Sequence, residues 1–123
     1  GDIELVVIPK QDRTELTKII NKWQKVKGEP TGRYTQRILP ENIKLDLFFA
    51  TRENWGAIFL IRTGDWKFSK KFMGTIMPKN NYQQKDGYVW KDGKIVPVFE
   101  EIDLFRLMNV PFIEPEKRDK NAI

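Results

Sequence analysis

The stretch Ile43–Lys71, IKLDLFFATRENWGAIFLIRTGDWKFSKK, carries three features around which the rest of the chain can be interpreted. It begins with a strand-like run that holds one carboxylate, Asp46, among hydrophobic residues. A second apolar run follows and ends in a sharp Thr63-Gly64 turn. The stretch closes on a helix start with three basic residues, Lys67, Lys70 and Lys71. A carboxylate strand, a glycine turn and a basic helix in succession indicate that metal, phosphate and nucleic acid meet here.

The composition of the 123-residue chain narrows the chemistry that it can perform. Its hydrophobic content of 40% is enough for a core, and its length predicts one domain or one domain with a small appendage. The chain has no cysteine and no histidine, which excludes disulfide frameworks, Ser-His-Asp chemistry and nearly every zinc enzyme. A metal would be a hard cation held by carboxylates, with Mg²⁺ favoured and Mn²⁺ as the alternative.

The charge of the chain indicates an anionic partner. The formal net charge is +5 and the isoelectric point is about 9.5, and nucleic acid is the usual partner of such a chain. The alternative at this point is a basic domain with no such partner. No apolar run approaches a membrane span, and the first residues lack the basic start of a signal peptide. We therefore expect no membrane partner and no secretion, with an intracellular location in cytoplasm or nucleoid, or in a host cell if the protein is viral.

Residues 1–50 are predicted to form a sheet with one packing helix. Residues 2–8, DIELVVI, predict an interior strand, because their second half is apolar on both faces. An apolar stripe at helical spacing predicts a helix from Asp12 to Gly28. Strands at 33–39 and 43–50 predict an antiparallel hairpin. In its second strand, alternate residues point to the same face: Ile43, Leu45, Leu47 and Phe49.

Residues 51–123 are predicted to contain helices around a small sheet, which makes the fold class α+β. Residues 53–62 suit a short buried helix, with a third strand as the alternative. A helix is predicted from Asp65 to Pro78. Two Asp-Gly pairs then predict short hairpins, and residues 100–108 predict a helix with acids at its start. The charged tail, residues 114–123, is predicted to be frayed.

Three carboxylates are candidates for a metal site. Asp2 and Glu4 share one face of their strand, and Asp46 is expected to face the same way on a second strand. Phosphoryl transfer uses such clusters to hold Mg²⁺. An acid such as Asp46 costs several kcal/mol if it is buried and unpaired, so it should border a polar cleft or pair with Lys44 or Arg37.

Three segments of the chain together resemble the family-X DNA polymerases, the polymerase beta group. They are GDIELVVIP at the start, KLDLFFATRENWGAIFLIRTGDWKFSKKF in the middle and YVWKDGKIVPVFEEIDLFRLMNVPFIEPEKR towards the end. The first is similar to the D-x-D metal strand of that family. The second is similar to its third-acid strand, T-G-S turn and basic helix, and the third to the end of its thumb. The resemblance implies a nucleotidyltransferase-like partial palm, residues 1–64, with a mixed or antiparallel sheet and packing helices. A small α/β thumb, residues 65–123, follows.

The resemblance also implies roles for individual residues. Asp2, Glu4 and Asp46 would hold Mg²⁺, and Asp46 would also be catalytic, by helping to activate the primer hydroxyl. The residues implied to bind the deoxynucleoside triphosphate are Arg62, Thr63, Gly64, Asp65, Trp66 and Ser69. The residues implied to bind DNA are Lys44, Lys67, Lys70 and Lys71.

The chain departs from the family pattern in ways that bear on activity. Glu4 stands where the family has Asp, Asp65 replaces Ser, and Ile61 and Arg62 replace two aromatics. The family's preceding Gly-Ser strand and its upstream modules are missing, so those modules are expected partners and the isolated chain is expected to be inactive. Two alternatives to a polymerase portion are a non-catalytic DNA-binding or interaction module that kept the fold, and a basic structural domain whose carboxylates pair with its lysines.

Overall fold

The computed structural model describes residues 2–123, and the chain divides into two compact units after Thr51. Both units combine helices with a sheet, so the predicted α+β class is confirmed. The sequence placed a domain boundary after Gly64. The residues between these two positions include a helix, Trp55–Ile61, that packs with a later helix of the second unit. No helix among residues 2–123 is long and apolar enough to cross a membrane.

The first unit is a four-stranded mixed sheet with one helix, in the strand order β1-β4-β3-β2. Strand β1 runs parallel to β4, and the other neighbours are antiparallel. The predicted hairpin is confirmed as β3 and β4. The elements are β1 (Asp2–Val7), α1 (Thr14–Ile20), β2 (Gln24–Gly28), β3 (Tyr34–Ile38) and β4 (Lys44–Phe49).

The core of the first unit is small and lies on one face of the sheet. Ile20 of α1 is fully buried against alternate residues of β4, which confirms the predicted alternation. Because side chains alternate along a strand, the intervening residues of β4 lie on the opposite face. The buried residues of β4 are Leu45, Leu47 and Phe49.

Two predictions for the first unit are wrong. The helix ends at Ile20, not near Gly28, because residues 24–28 pair with β3 and their backbone groups enter the sheet ladder. Among the strands formed by residues 2–123, β1 is an edge strand and not the predicted interior strand. It has β4 as its neighbour on one side and lies at the end of the sheet order, so residues 2–5 are exposed.

The second unit begins with α2 (Trp55–Ile61), which decides the open choice at residues 53–62 in favour of a helix. A contiguous helical segment then runs from Trp66 to Lys79, as α3 (Trp66–Lys71), one π-helical turn (Phe72–Ile76) and α4 (Met77–Lys79). Pro78 therefore does not end the helix. It lies at the junction between the π-helical turn and α4, and the helical segment continues past it to Lys79.

The predicted Asp-Gly turns join three short antiparallel strands, as expected. Asp86 and Asp92 have positive φ angles of 55° and 53°, which such tight turns require. The remaining elements are β5 (Gln83–Lys85), β6 (Tyr88–Lys91), β7 (Lys94–Val96), α5 (Glu101–Leu107) and a 3₁₀ turn (Pro115–Lys117).

The second unit has the larger core, built around packed phenylalanine rings. Phe68, Phe72 and Phe105 are fully buried, and the ring centroids of Phe72 and Phe105 are 5.4 Å apart. Aromatic pairs in edge-to-face geometry add to the free energy of simple burial. The other buried members are Ala57, Leu60, Met77, Tyr82, Val89, Val98, Leu104 and Met108.

Candidate functional site

The open face of the first unit's sheet carries the predicted acids. In the strand register, Asp2 lies opposite Lys44 and Glu4 lies opposite Asp46. Residues directly opposite each other on paired strands project to the same face, so these four side chains share it. Lys44, predicted to bind DNA, thus lies beside the carboxylates and is exposed.

The carboxylate of Asp46 is held by two neutral donors from β3. Tyr34 Oη donates a hydrogen bond to Oδ1 of Asp46 at 2.5 Å, and Gln36 Nε2 donates to the same oxygen at 2.8 Å. Arg37, a predicted partner, lies on the other face of the sheet, where it is 2% exposed. Neutral donors orient a carboxylate without cancelling its charge. The hairpin register could have revealed Gln36, because it lies directly opposite Asp46.

The donor set can be tested against the predicted Mg²⁺. Among residues 2–123, no three acidic side chains lie close enough together to hold a metal ion. Glu4 and Asp46 are nevertheless direct register neighbours, and Mg²⁺ is commonly held by one or two carboxylates together with waters and substrate phosphates. The residues present therefore fit an ion held by two carboxylates, and the Mg²⁺ site with Asp2 as a third ligand stays a prediction.

In the second unit, the Thr63-Gly64-Asp65 turn is built by local hydrogen bonds. Gly64 has φ of +90°, and a Cβ there would lie 3.1 Å from Cβ of Arg118, so a side chain would be strained and crowded. Thr63 Oγ1 donates to the carbonyl of Phe59 at 2.5 Å. The Asp65 carboxylate accepts from the backbone N–H of Lys67 at 2.8 Å and caps α3. The turn thus fixes where α3 begins.

Helix α3 presents one aromatic and two lysines to solvent. Trp66 is 66% exposed, and the ammonium groups of Lys67 and Lys70 lie 5.8 Å and 5.9 Å from its ring centroid. Ser69 is buried and donates to the carbonyl of Ile61 at 2.9 Å, so its hydroxyl serves the fold. Lys71 is half-buried, and its ammonium donates to the carbonyl of Ile123. The exposed trio, Trp66, Lys67 and Lys70, is called the α3 platform below.

A groove of about 590 Å³ lies beside the α3 platform, between the helical segment and β5. Four predicted residues line it: Arg62, Trp66, Ser69 and Lys70. The sequence did not reveal the rest of its wall, because the register of a π-helical turn and the docking of β5 are set by tertiary packing. Those additional residues include Met73, Gly74, Gln83 and Gln84.

The family match falls on this unit. Residues 59–119 match the family model of the DNA polymerase beta thumb. Residues 59–119 form a polymerase beta-like thumb. The predicted resemblance to family X is therefore confirmed for this part of the chain, and the match includes the turn, the α3 platform and the groove. No curated protein matches the chain significantly.

The end of the thumb is packed, so the prediction of a frayed tail is wrong, and the last two residues also lie against the core. Arg118 is 3% exposed and donates from Nε to the carbonyl of Ile113 at 2.9 Å and from Nη1 to Glu101 at 2.5 Å. Its guanidinium lies 5.3–5.9 Å from the ring centroids of three phenylalanines. The backbone N–H of Asp65 donates to the carbonyl of Arg118 at 3.4 Å. The tail therefore braces the turn that precedes α3.

Proposed function

We propose that this chain is the palm–thumb portion of a polymerase beta-like DNA nucleotidyltransferase, in which the α3 platform and its groove contact DNA and the incoming nucleotide. The observation that carries this proposal is the α3 platform itself, within a thumb of this family. An exposed indole offers a face on which a base can stack, and adjacent ammonium groups attract phosphate. None of the groove-lining residues in the described part of the chain, 2–123, is acidic, so nothing in its wall repels a polyanion.

The acid face of the first unit is proposed to supply the catalytic half of the same activity. Glu4 and Asp46 would hold Mg²⁺, with Asp2 and Lys44 beside them on that face. When bound, the ion supplies a Lewis acid that stabilises negative charge on phosphoryl oxygens. Asp46 is the residue assigned to the primer hydroxyl, and its two hydrogen-bond donors keep the carboxylate in one orientation.

Charge reversal tests the DNA-binding half. We expect Lys67→Glu combined with Lys70→Glu to weaken binding of a fluorescein-labelled primer–template duplex by at least tenfold, and to lower the salt dependence of the affinity by about two counterions. The matched control is Lys18→Glu with Lys22→Glu, which changes the net charge equally. Lys18 lies on α1, which packs against the buried face of the first unit's sheet. Equal losses in the two double variants would show a charge effect without a defined contact surface.

A second candidate, a DNA-binding module without catalysis, is favoured by one observation. The carboxylates include no group of three that could hold a metal among residues 2–123. Titration with Mn²⁺ followed by ¹H–¹⁵N NMR separates the two candidates. Paramagnetic broadening centred on Glu4 and Asp46, and lost in Asp46→Asn, supports the polymerase portion. Unbroadened resonances at millimolar Mn²⁺, with DNA binding intact, support the module.

A further inference from the structure

Gly74 is the position in the thumb that the fold itself does not explain. It lies inside the contiguous helical segment, within the π-helical turn Phe72–Ile76. Glycine in a helix interior is less stable than alanine, because glycine loses more backbone entropy on folding. The φ angle of Gly74 is not positive, so the backbone conformation does not require glycine.

Packing does not require glycine at this position either. A Cβ built on Gly74 has no atom of the described chain within 4 Å, apart from its chain neighbours and the backbone of its own helix. The contrast with Gly56 is clear, since a Cβ there would lie 2.3 Å from the backbone of Glu100. Gly56 is therefore needed for the contact between helices, whereas the space above Gly74 opens into the groove.

The surroundings of Gly74 indicate what the open space receives. The groove has a basic rim with an exposed indole, formed by Arg62, Lys70 and Trp66. Its opposite wall carries the exposed amides of Gln83 and Gln84, which can both donate and accept hydrogen bonds. Glycine is used where a backbone and a ligand approach closely, and π-helical turns are frequent at functional sites.

We infer that Gly74 is the point at which a DNA strand lies directly against the backbone of the thumb helix, and that the missing side chain sets how closely the strand can approach. This inference rests on the proposed function, because it takes the groove to be a DNA contact. The basic rim attracts the phosphates, the indole of Trp66 takes a base face, and the bare backbone at Gly74 admits the edge of the strand. Any side chain at position 74 lifts the strand away from the groove floor.

Substitutions that separate binding from stability test this inference. Gly74→Ala should raise the midpoint of thermal unfolding by roughly 2–5 °C, because alanine favours the helix and meets no atom. The same variant should bind the labelled primer–template duplex about tenfold more weakly, and Gly74→Leu more weakly still. The matched control is Thr75→Leu, which adds bulk at the next, exposed helix position. It should leave DNA affinity unchanged.

The outcomes distinguish this inference from the proposed function. If the lysine double variant loses affinity while both Gly74 variants bind as tightly as the wild type, the groove contact stands and the role of Gly74 is overturned. If neither the lysine nor the glycine variants lose affinity, both proposals fail. If Thr75→Leu weakens binding as much as Gly74→Leu, bulk on the helix is responsible and the assignment to Gly74 is overturned. Gly74→Ala keeps the test valid should the leucine variant fail to fold.

Discussion

Each unit buries one arginine among residues 2–123, and the two are held in different ways. Arg118 of the thumb has an ion-pair partner, Glu101, and three phenylalanine rings around its guanidinium. Arg37 of the first unit donates to the hydroxyl of Thr35 at 3.1 Å and to the carbonyl of Trp23 at 3.3 Å, both neutral acceptors. The thumb therefore uses a buried ion pair to fix its own tail and turn, whereas in the first unit Glu4 and Asp46 remain on the open face of the sheet.

We expect the largest change in stability when the buried ion pair of the thumb is removed. Glu101→Ala should destabilise the thumb by about 3–5 kcal/mol, because it leaves the Arg118 guanidinium buried without its counter-charge. Hydrogen exchange at the amides of residues 64–70, measured alongside urea denaturation, reports whether the turn before α3 loosens. The control is Arg106→Ala, whose ion pair at 3.9 Å is exposed and should contribute about 0–1 kcal/mol. Similar losses in both variants would contradict the bracing role of Arg118.

The next effect concerns the carboxylate of the first unit. Tyr34→Phe should cost about 1–2 kcal/mol, because it removes one hydrogen bond to a charged acceptor and keeps the ring that packs on Phe48. Tyr82→Phe, at a tyrosine whose ring lies in the core of the thumb, is the control for loss of a hydroxyl. Urea denaturation measures both. An unchanged free energy of unfolding in Tyr34→Phe would show that the hydroxyl does not support Asp46.

A smaller effect is expected at the other buried arginine. Arg37→Met should change the free energy of unfolding by less than about 1 kcal/mol in either direction, since an apolar side chain of similar length replaces a buried cation whose hydrogen bonds to Thr35 and Trp23 end on neutral acceptors. The measurement is urea denaturation monitored by hydrogen exchange in β3. A loss as large as that of Glu101→Ala would remove the contrast between the two arginines.

The smallest effect is a dependence on acid pH. The side-chain and backbone hydrogen bonds from Thr14 hold the pKa of the Asp12 carboxyl below its ordinary value of 3.8. A lowered folded pKa stabilises the folded state at pH values above 3.8, and this contribution is lost as the pH falls through the folded pKa. Wild type and Asp12→Asn should therefore differ most near neutral pH and converge in strong acid. A difference independent of pH would exclude the ionised carboxyl as its source.

The sequence predicted those elements whose pattern is local. The β3–β4 hairpin, the alternation along β4 and the Asp-Gly turns all follow from residues close in the chain, and the structure confirms them. The prediction that the helix reaches Gly28 failed because the residues on both sides of Val26 pair with β3, around a bulge at Val26 itself. The prediction of a frayed tail failed because Glu101, the ion-pair partner of Arg118, lies far away in the sequence, on α5. A local sequence pattern does not predict contacts between segments that are distant in the chain.

The candidate site divides in the same way. Trp66, Lys67 and Lys70 were found from the sequence because they begin a helix after a capped turn, and the structure gathers them at the rim of a groove. Residues that reach the site from another element were missed. Gln36 contacts Asp46 across the hairpin, and Gln84 faces the helix from β5. Their roles depend on the strand register of the hairpin and on how β5 packs against the helix, and both are seen only in the folded structure.

Titration of the ¹⁵N-labelled chain with the primer–template duplex, followed through the side-chain N–H resonances of its four tryptophans, tests the central claim most directly. Trp66 on the α3 platform should show the largest shift, with Trp90 smaller and Trp23, in the first unit near its core, close to unchanged. The shift at Trp66 should disappear in the Lys67→Glu, Lys70→Glu variant. A Trp66 resonance that does not move at saturating DNA, or moves less than that of Trp23, would contradict the claim that the thumb binds DNA through α3.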